Sequence, residues 1–297
     1  MKSEPNKTQR MWAIVKETYT KWMDSDPFQL SAAVSYYALF SFPALVIIVI
    51  QTVSIFYSRA EVQDRVMKEI TSILGEDSAS TIKDIIENAI SQDQSYIAIA
   101  VGIATLLYGA TGMFVALQKS LNAIWGVKPK PKNEYLKMLR DRIFSLGLIL
   151  VIGFLLLISL VLTAVITALV GWIEYYLPDF MVEVIQLINF FISLGLITIL
   201  FALIFKYLPD VKIRWNSVWV GAFVTSVLFV LGKSALGIYF GQMDPGSSFG
   251  AAGSVILILL WVSYSSIILF FGATFTQVYA AHYGIGIKPA SYAERVD

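Results

Sequence analysis

Residues 184–205 read VIQLINFFISLGLITILFALIF, twenty-two positions without a single Asp, Glu, Lys or Arg. As an α-helix this segment is about 33 Å long at about 1.5 Å per residue, enough to cross a hydrocarbon layer about 30 Å thick. Five further stretches meet the same test: Leu30–Phe56, Tyr96–Ala116, Ile143–Val170, Ser217–Phe240 and Gly250–Ala281. None carries an acid in its central portion. The composition agrees: 57% of the 297 residues are hydrophobic and 14% charged, where soluble domains hold about 25% charged residues. There is too little polar sequence here to clothe a soluble enzyme.

The basic residues between these stretches alternate in number. Sixteen fall in the N-terminal segment (Lys2, Lys7, Arg10, Lys16, Lys21), the second loop (Lys128, Lys130, Lys132, Lys137, Arg140, Arg142), the fourth loop (Lys206, Lys212, Arg214) and the tail (Lys288, Arg295). Four, Arg59, Arg65, Lys68 and Lys83, fall in the first loop, and none in the third or fifth. Because Lys and Arg accumulate on the cytoplasmic side, the expected architecture is an all-α polytopic membrane protein with six transmembrane helices and both termini cytoplasmic. Its parts are an interfacial N-terminal segment 1–29, a transmembrane domain 30–281 and a tail 282–297. The polar stretch before Leu30 separates the first span from any signal-peptide pattern. The net charge of +1 provides no field for nucleic acid, and the absence of cysteine removes disulfides and thiolate chemistry.

Two extramembrane pieces carry helical periodicity. Met11, Trp12, Val15, Tyr19, Trp22 and Met23 share a face, which describes an interfacial anchor. The first loop, 57–95, is acidic; Val62, Val66, Ile70 and Ile73 line one helix face and Ile82, Ile85, Ile86, Ala89 and Ile90 another. Two amphipathic helices broken near Leu74–Asp77 are expected, capping the bundle on its outer side. Without a calcium-loop spacing the acids read as a solvated face. The Lys-Pro run 128–132 is expected to stretch the linker between the second and third spans.

Within the spans, Ala98, Gly102, Thr105, Gly109, Gly112 and Ala116 form a small-residue stripe suited to close helix approach. Gln118 and Asn122 continue that side, with Trp125 marking the interface. In the first span Ser31, Ser35, Tyr36, Tyr37 and Ser41 precede Pro43, which should bend the helix near Leu39. Lys233 is the charge lying well inside a span, about 12 Å from its outer end. It either snorkels or meets an anion, its counter-charge being an outer-loop acid such as Asp244, a carbonyl or a ligand.

The segments Ser35–Pro43, Gly109–Gln118 with Asn122–Trp125, Tyr207-Leu-Pro209, Trp219–Ala222 and Gly253-Ser through Leu260-Trp261 to Phe271-Gly-Ala273 resemble the YihY/BrkB family of bacterial inner-membrane proteins, over nearly the whole chain and in order. The resemblance implies a multi-pass helical protein of the bacterial inner membrane, linked by name to virulence or serum resistance and once labelled a ribonuclease. Thr274 stands where members often carry Glu. The ribonuclease label finds no support in the residues: the single histidine, His282, supplies neither a metal cluster nor an acid–base pair. No cofactor, metal site or enzymatic activity is expected. The expected function is transporter-like or lipid-handling, with an anionic or amphiphilic substrate contacting Lys233, Ser35, Tyr36, Ser41, Gln118 and Asn122, and Gly102, Gly109 and Gly112 serving packing. The alternative is a non-catalytic assembly factor in envelope integrity. Membrane lipids, anionic ones included, are the expected partners, nucleic acid is not, and homo-oligomerisation stays open.

Overall fold

The computed structural model describes residues 7–74, 79–80, 82–84, 96–131, 133–173, 180–243, 252–283 and 286–296. The chain is mostly helical: α1 (Lys7–Asp24), α2 (Pro27–Val53), α3 (Arg59–Leu74), α4 (Tyr96–Ile124), α5 (Glu134–Ile173), α6 (Phe180–Tyr207), α7 (Trp215–Met243) and α8 (Gly253–His282). Each of the six apolar stretches lies largely within one of the helices α2 and α4–α8. Among the described residues, three helical segments are long and apolar enough to cross a membrane, Leu187–Tyr207, Trp215–Phe240 and Gly253–His282. Helix α2 makes a fourth if its halves Pro27–Phe42 and Ala44–Val53, bent by 54° at Pro43, form one span.

The helices close a ring in which α4 packs on α2, α2 on α8, α8 on α7, α7 on α6, α6 on α5 and α5 on both α4 and α2. Buried Val34, Ile50, Phe114, Leu121, Phe205 and Phe270 fill its core. The small-residue stripe of α4 faces α2: a methyl added at Gly109 would touch the Phe40 carbonyl oxygen at 3.6 Å, and one at Gly112 the Tyr37 ring at 3.8 Å. The side-chain surroundings of Ala98, Gly102 and Thr105 lie outside the described residues.

Helices α7 and α8 meet more closely still. A Cβ at Gly221 would overlap Thr276, and one at Gly272 would overlap Thr225. Each threonine donates its hydroxyl to the carbonyl of the glycine four residues before it, Thr225 to Gly221 and Thr276 to Gly272, both at 2.7 Å. The hydroxyls are thereby satisfied within their own helices while their bulk fills the glycine gap opposite, so two antiparallel Gly-x-x-x-Thr segments interlock.

Two short antiparallel ribbons depart from an all-helical reading. Strand β1 (Val127–Pro129) pairs with β4 (Ala293–Arg295), and β2 (Val211–Lys212) with β3 (Lys288–Pro289). Gly126, at φ +61°, ends α4 in the left-handed conformation that glycine adopts without strain and turns the chain into β1. Strands of two or three residues are too short to leave an alternating pattern, and the Lys-Pro run that promised only an extended linker supplies one of them. The ribbons tie the α4–α5 loop, the α6–α7 loop and the tail together. Helix α1 joins this end, since Arg10 donates to the His282 carbonyl and His282 Nε2 lies 2.7 Å from Glu17 Oε2. The four basic segments thus share one face of the molecule.

Helix α1 docks on α8 through Ile14 and Thr18, both fully buried. Its other side leaves Met11, Trp12, Val15, Tyr19 and Met23 exposed, an apolar stripe turned away from the protein. At the opposite end of the bundle α3 buries Val62 and Ile70 and packs on α2, α7 and α8. Most of the second expected loop helix lies outside the described residues, although Ala79 and Ile82 are buried.

Candidate functional site

Asp210 follows α6 in the turn Tyr207-Leu-Pro-Asp, and its side chain is buried where α4, α5 and the tail converge. An isolated carboxylate there would be strongly destabilising. Instead, Gln118 Nε2 donates to Oδ1 at 3.3 Å and Asn122 Nδ2 to Oδ2 at 2.9 Å. Gln118 and Asn122 reach the same carboxylate because they lie one helical turn apart on α4, which continues eight residues past the apolar stretch that ended at Ala116. Hydropathy marks how much of a helix is greasy, and the helix itself runs on into the polar layer.

Lys137 supplies the counter-charge. Its ammonium lies 2.5 Å from Asp141 Oδ2, one turn along α5, and 3.5 Å from Asp210 Oδ2. The tail closes the cluster: the Ala290 amide donates to the Asp210 carbonyl at 3.0 Å. Arg140 donates to the Tyr292 hydroxyl, its guanidinium 3.9 Å from the ring centre. Burial pushes the Tyr292 hydroxyl above its ordinary titration range, nearby Asp210 adds to the rise, and Arg140 opposes it. Beside this network a cleft of about 530 Å³ opens between α4, β1 and α5, with Lys119, Lys128 and Lys137 on its walls.

Of the residues expected at a site, the structure brings Gln118 and Asn122 together on Asp210. Lys233 lies at the far end of the bundle, where its ammonium is 3.4 Å from Glu69 Oε2 of α3, so its acidic neighbour comes from the first loop. Asp244, the acid named from sequence, lies outside the described residues. Ser35 and Ser41 are buried and donate to the carbonyls of Ser31 and Tyr37, both at 2.8 Å. Tyr36 is exposed and packs its ring on Phe40, 5.2 Å between centres. The first-span residues therefore stand apart from the Asp210 cluster.

Trp125, expected at the interface, is buried and donates its indole N–H to the Ala273 carbonyl at 3.0 Å, clamping α4 to α8. Thr274 is likewise buried, its hydroxyl on the Phe270 carbonyl at 2.9 Å. Asp210 is invisible to hydropathy because it sits just beyond a span, in the turn after α6. The available signal was the pair of amides at i and i+4 on a neighbouring helix, which need a partner when buried.

No solved structure matches the chain. Among curated relatives, a UPF0761 membrane protein of Verminephrobacter eiseniae is 28% identical over 178 residues, 59% of this chain and 40% of that protein. One from Alteromonas mediterranea is 28% identical over 60% of this chain and 58% of its own length. A third, from Saccharophagus degradans, is 25% identical over 88% of this chain and 58% of its own. The matches thus cover about half the length of these membrane proteins. The family model described as virulence factor BrkB matches residues 18–296, a range that takes in the paired amides, Asp210, Lys233 and both ribbons, and on that match this integral membrane protein belongs to the BrkB family.

Proposed function

We propose that the protein spans the bacterial inner membrane six times, with both termini cytoplasmic, and moves or handles an anionic or amphiphilic lipid-like substrate without covalent chemistry. The observation that carries this reading is a groove of about 440 Å³ between α7, α8 and Trp22 of α1, walled by Leu228, Leu231, Ala235, Ile267 and Phe271. Its floor is set by Gly232, where any Cβ would overlap Tyr264. The next residue along α7 is Lys233, whose side chain is 41% exposed. An amphiphile asks for an apolar wall with a charge within reach; the groove supplies the wall, and Lys233, beside it on α7 and paired with Glu69, supplies the charge.

The test is reconstitution of the full chain in liposomes carrying a fluorescent anionic lipid, with its movement between leaflets followed by quenching from outside. Faster movement than in empty vesicles, slowed by the groove-filling Ala235→Trp variant, is the expected result. Movement no faster than in protein-free vesicles overturns the reading. Slowing by Lys233→Met as well would place the charged end of the substrate at that lysine.

A further inference from the structure

On this face some basic residues are matched by acids among the described residues and others, such as Lys212 and Lys288 across the second ribbon, are not; two of the unmatched ones line the cleft beside Asp210. Lys130 is matched by Glu294 at 2.6 Å, and Lys21 by Glu17 at 2.8 Å. Within the cleft, Lys137 and Asp141 satisfy each other. Lys119 at the end of α4 and Lys128 on β1 are exposed and have no ion-pair partner among the described residues. Two ammonium groups thus flank one concavity with no acid assigned to them.

The neighbouring donors are only partly used. An ammonium has three N–H groups, and Lys137 gives one to Asp141 while lying 3.5 Å from Asp210. A side-chain amide has two, and Gln118 gives one to Asp210. Asp210 fixes these groups in place; Lys137 offsets one of the two acids, Asp141 and Asp210, so that with Lys119 and Lys128 the cleft and its back wall keep a net positive charge. Val127, Pro129 and Val296 form the apolar part of the wall. Several converging N–H donors with an excess of positive charge describe a receptor for a tetrahedral, multiply charged oxyanion.

We propose that this cleft binds a phosphate group through Lys119 and Lys128, with Lys137 and Gln118 donating from its inner wall. The phosphate belongs to a lipid headgroup at the membrane edge or to a free phosphate ion. The inference goes beyond the function proposed above, since the groove near Lys233 lies at the far end of the bundle, and its test measures binding alone. Intact lipid movement with no phosphate binding would therefore overturn only the site, and intact binding with no movement would overturn only the function.

Two measurements on the full-length protein in detergent decide it. Native mass spectrometry compares retention of phosphatidylglycerol and phosphatidylcholine, and thermal unfolding is followed with and without inorganic phosphate. Each lysine beside an anionic headgroup should contribute about fivefold in retention. A preference for phosphatidylglycerol that collapses in Lys119→Gln/Lys128→Gln and survives in Lys130→Gln supports the site and assigns the phosphate to a lipid. Stabilisation by inorganic phosphate that is lost in the same double variant, without a lipid preference, supports the site and assigns it to the free ion. Absence of both effects, or their persistence in the double variant, overturns it. Both lysines are exposed, so the variants should fold.

Discussion

Asn122 and Asp210 exchange two hydrogen bonds: the Asn122 amide donates to the carboxylate at 2.9 Å, and its oxygen accepts from the Asp210 backbone amide at 2.8 Å. One side chain of α4 thus holds both the charge and the backbone of the turn after α6. Asn122→Ala leaves a buried N–H without its acceptor and a carboxylate short of a donor, which should cost about 2–4 kcal/mol. Asn122→Asp should be at least as damaging, because it sets a second carboxylate against the first. Thermal unfolding in detergent measures this; a loss within about 0.5 kcal/mol for both variants, the range of ordinary surface changes, would show that the network does not hold the turn.

The glycine–threonine interlock of α7 and α8 makes a separate, purely steric prediction. Gly221→Ala forces a methyl into Thr276, and overpacking of this kind costs about 1–3 kcal/mol. Pairing it with Thr276→Ala removes the hydroxyl and methyl that overlap it but leaves the Thr276 Cβ, and should recover part of the loss. Gly272→Ala with Thr225→Ala should behave the same way. Single and double variants with equal melting temperatures would contradict the interlock.

These two clusters also show what could be read from sequence. The apolar stretches and the stripe through Gly109 and Gly112 were legible because the length of a greasy run and a spacing of three and four residues are one-dimensional properties. The Gly221–Thr276 contact joins positions 55 apart in the chain, and neither helix by itself shows which residue fills its gap. Asp210 is similar: nothing in Tyr-Leu-Pro-Asp announces burial, which arises only when α4, α5 and the tail surround it. Trp125 is ambiguous for a related reason, since an indole suits both an interface and a buried carbonyl. The basic-residue count groups the loops, tail and α1 without showing what joins them, and ribbons of two or three residues leave no pattern in the sequence.

Acid should loosen helix α1. Glu17 is held below the usual carboxylate range, first by its bond to Lys21 and then by its bond to His282, with burial opposing both. A carboxylate depressed in the folded state adds stability above its unfolded value, here taken as 4.5, and that stability disappears as pH falls through the lower folded value. The side chain is 38% exposed, so solvent screening limits the effect to about 0.5 kcal/mol. Part of this lies within α1, in the bond to Lys21, and the rest in the contact joining α1 to the end of α8, where Arg10 also grips the His282 carbonyl. Proteolysis within α1 should therefore increase as pH drops below 4.5, and Glu17→Gln should show the increased rate already at neutral pH. A rate independent of both pH and substitution would remove Glu17 from the docking of α1.

The absence of cysteine allows the face shared by loops and tail to be tested with introduced thiols. Lys128 and Glu294 are direct partners across the β1–β4 ribbon, and Cα atoms directly opposite in an antiparallel pair lie about 4.5–5.5 Å apart, within disulfide range. Lys128→Cys/Glu294→Cys should cross-link readily under mild oxidant. Moving one thiol to Arg295, whose partner is Val127, turns its side chain to the other face of the ribbon and should abolish the bond. The single variants Lys128→Cys and Glu294→Cys report orientation. A membrane-impermeant thiol reagent should label either variant in inverted vesicles and leave both untouched in intact cells, because the basic face is the cytoplasmic one under the charge rule. Labelling from outside intact cells would reverse the proposed topology while leaving the ribbon itself intact, since the cross-link depends only on which strands are neighbours.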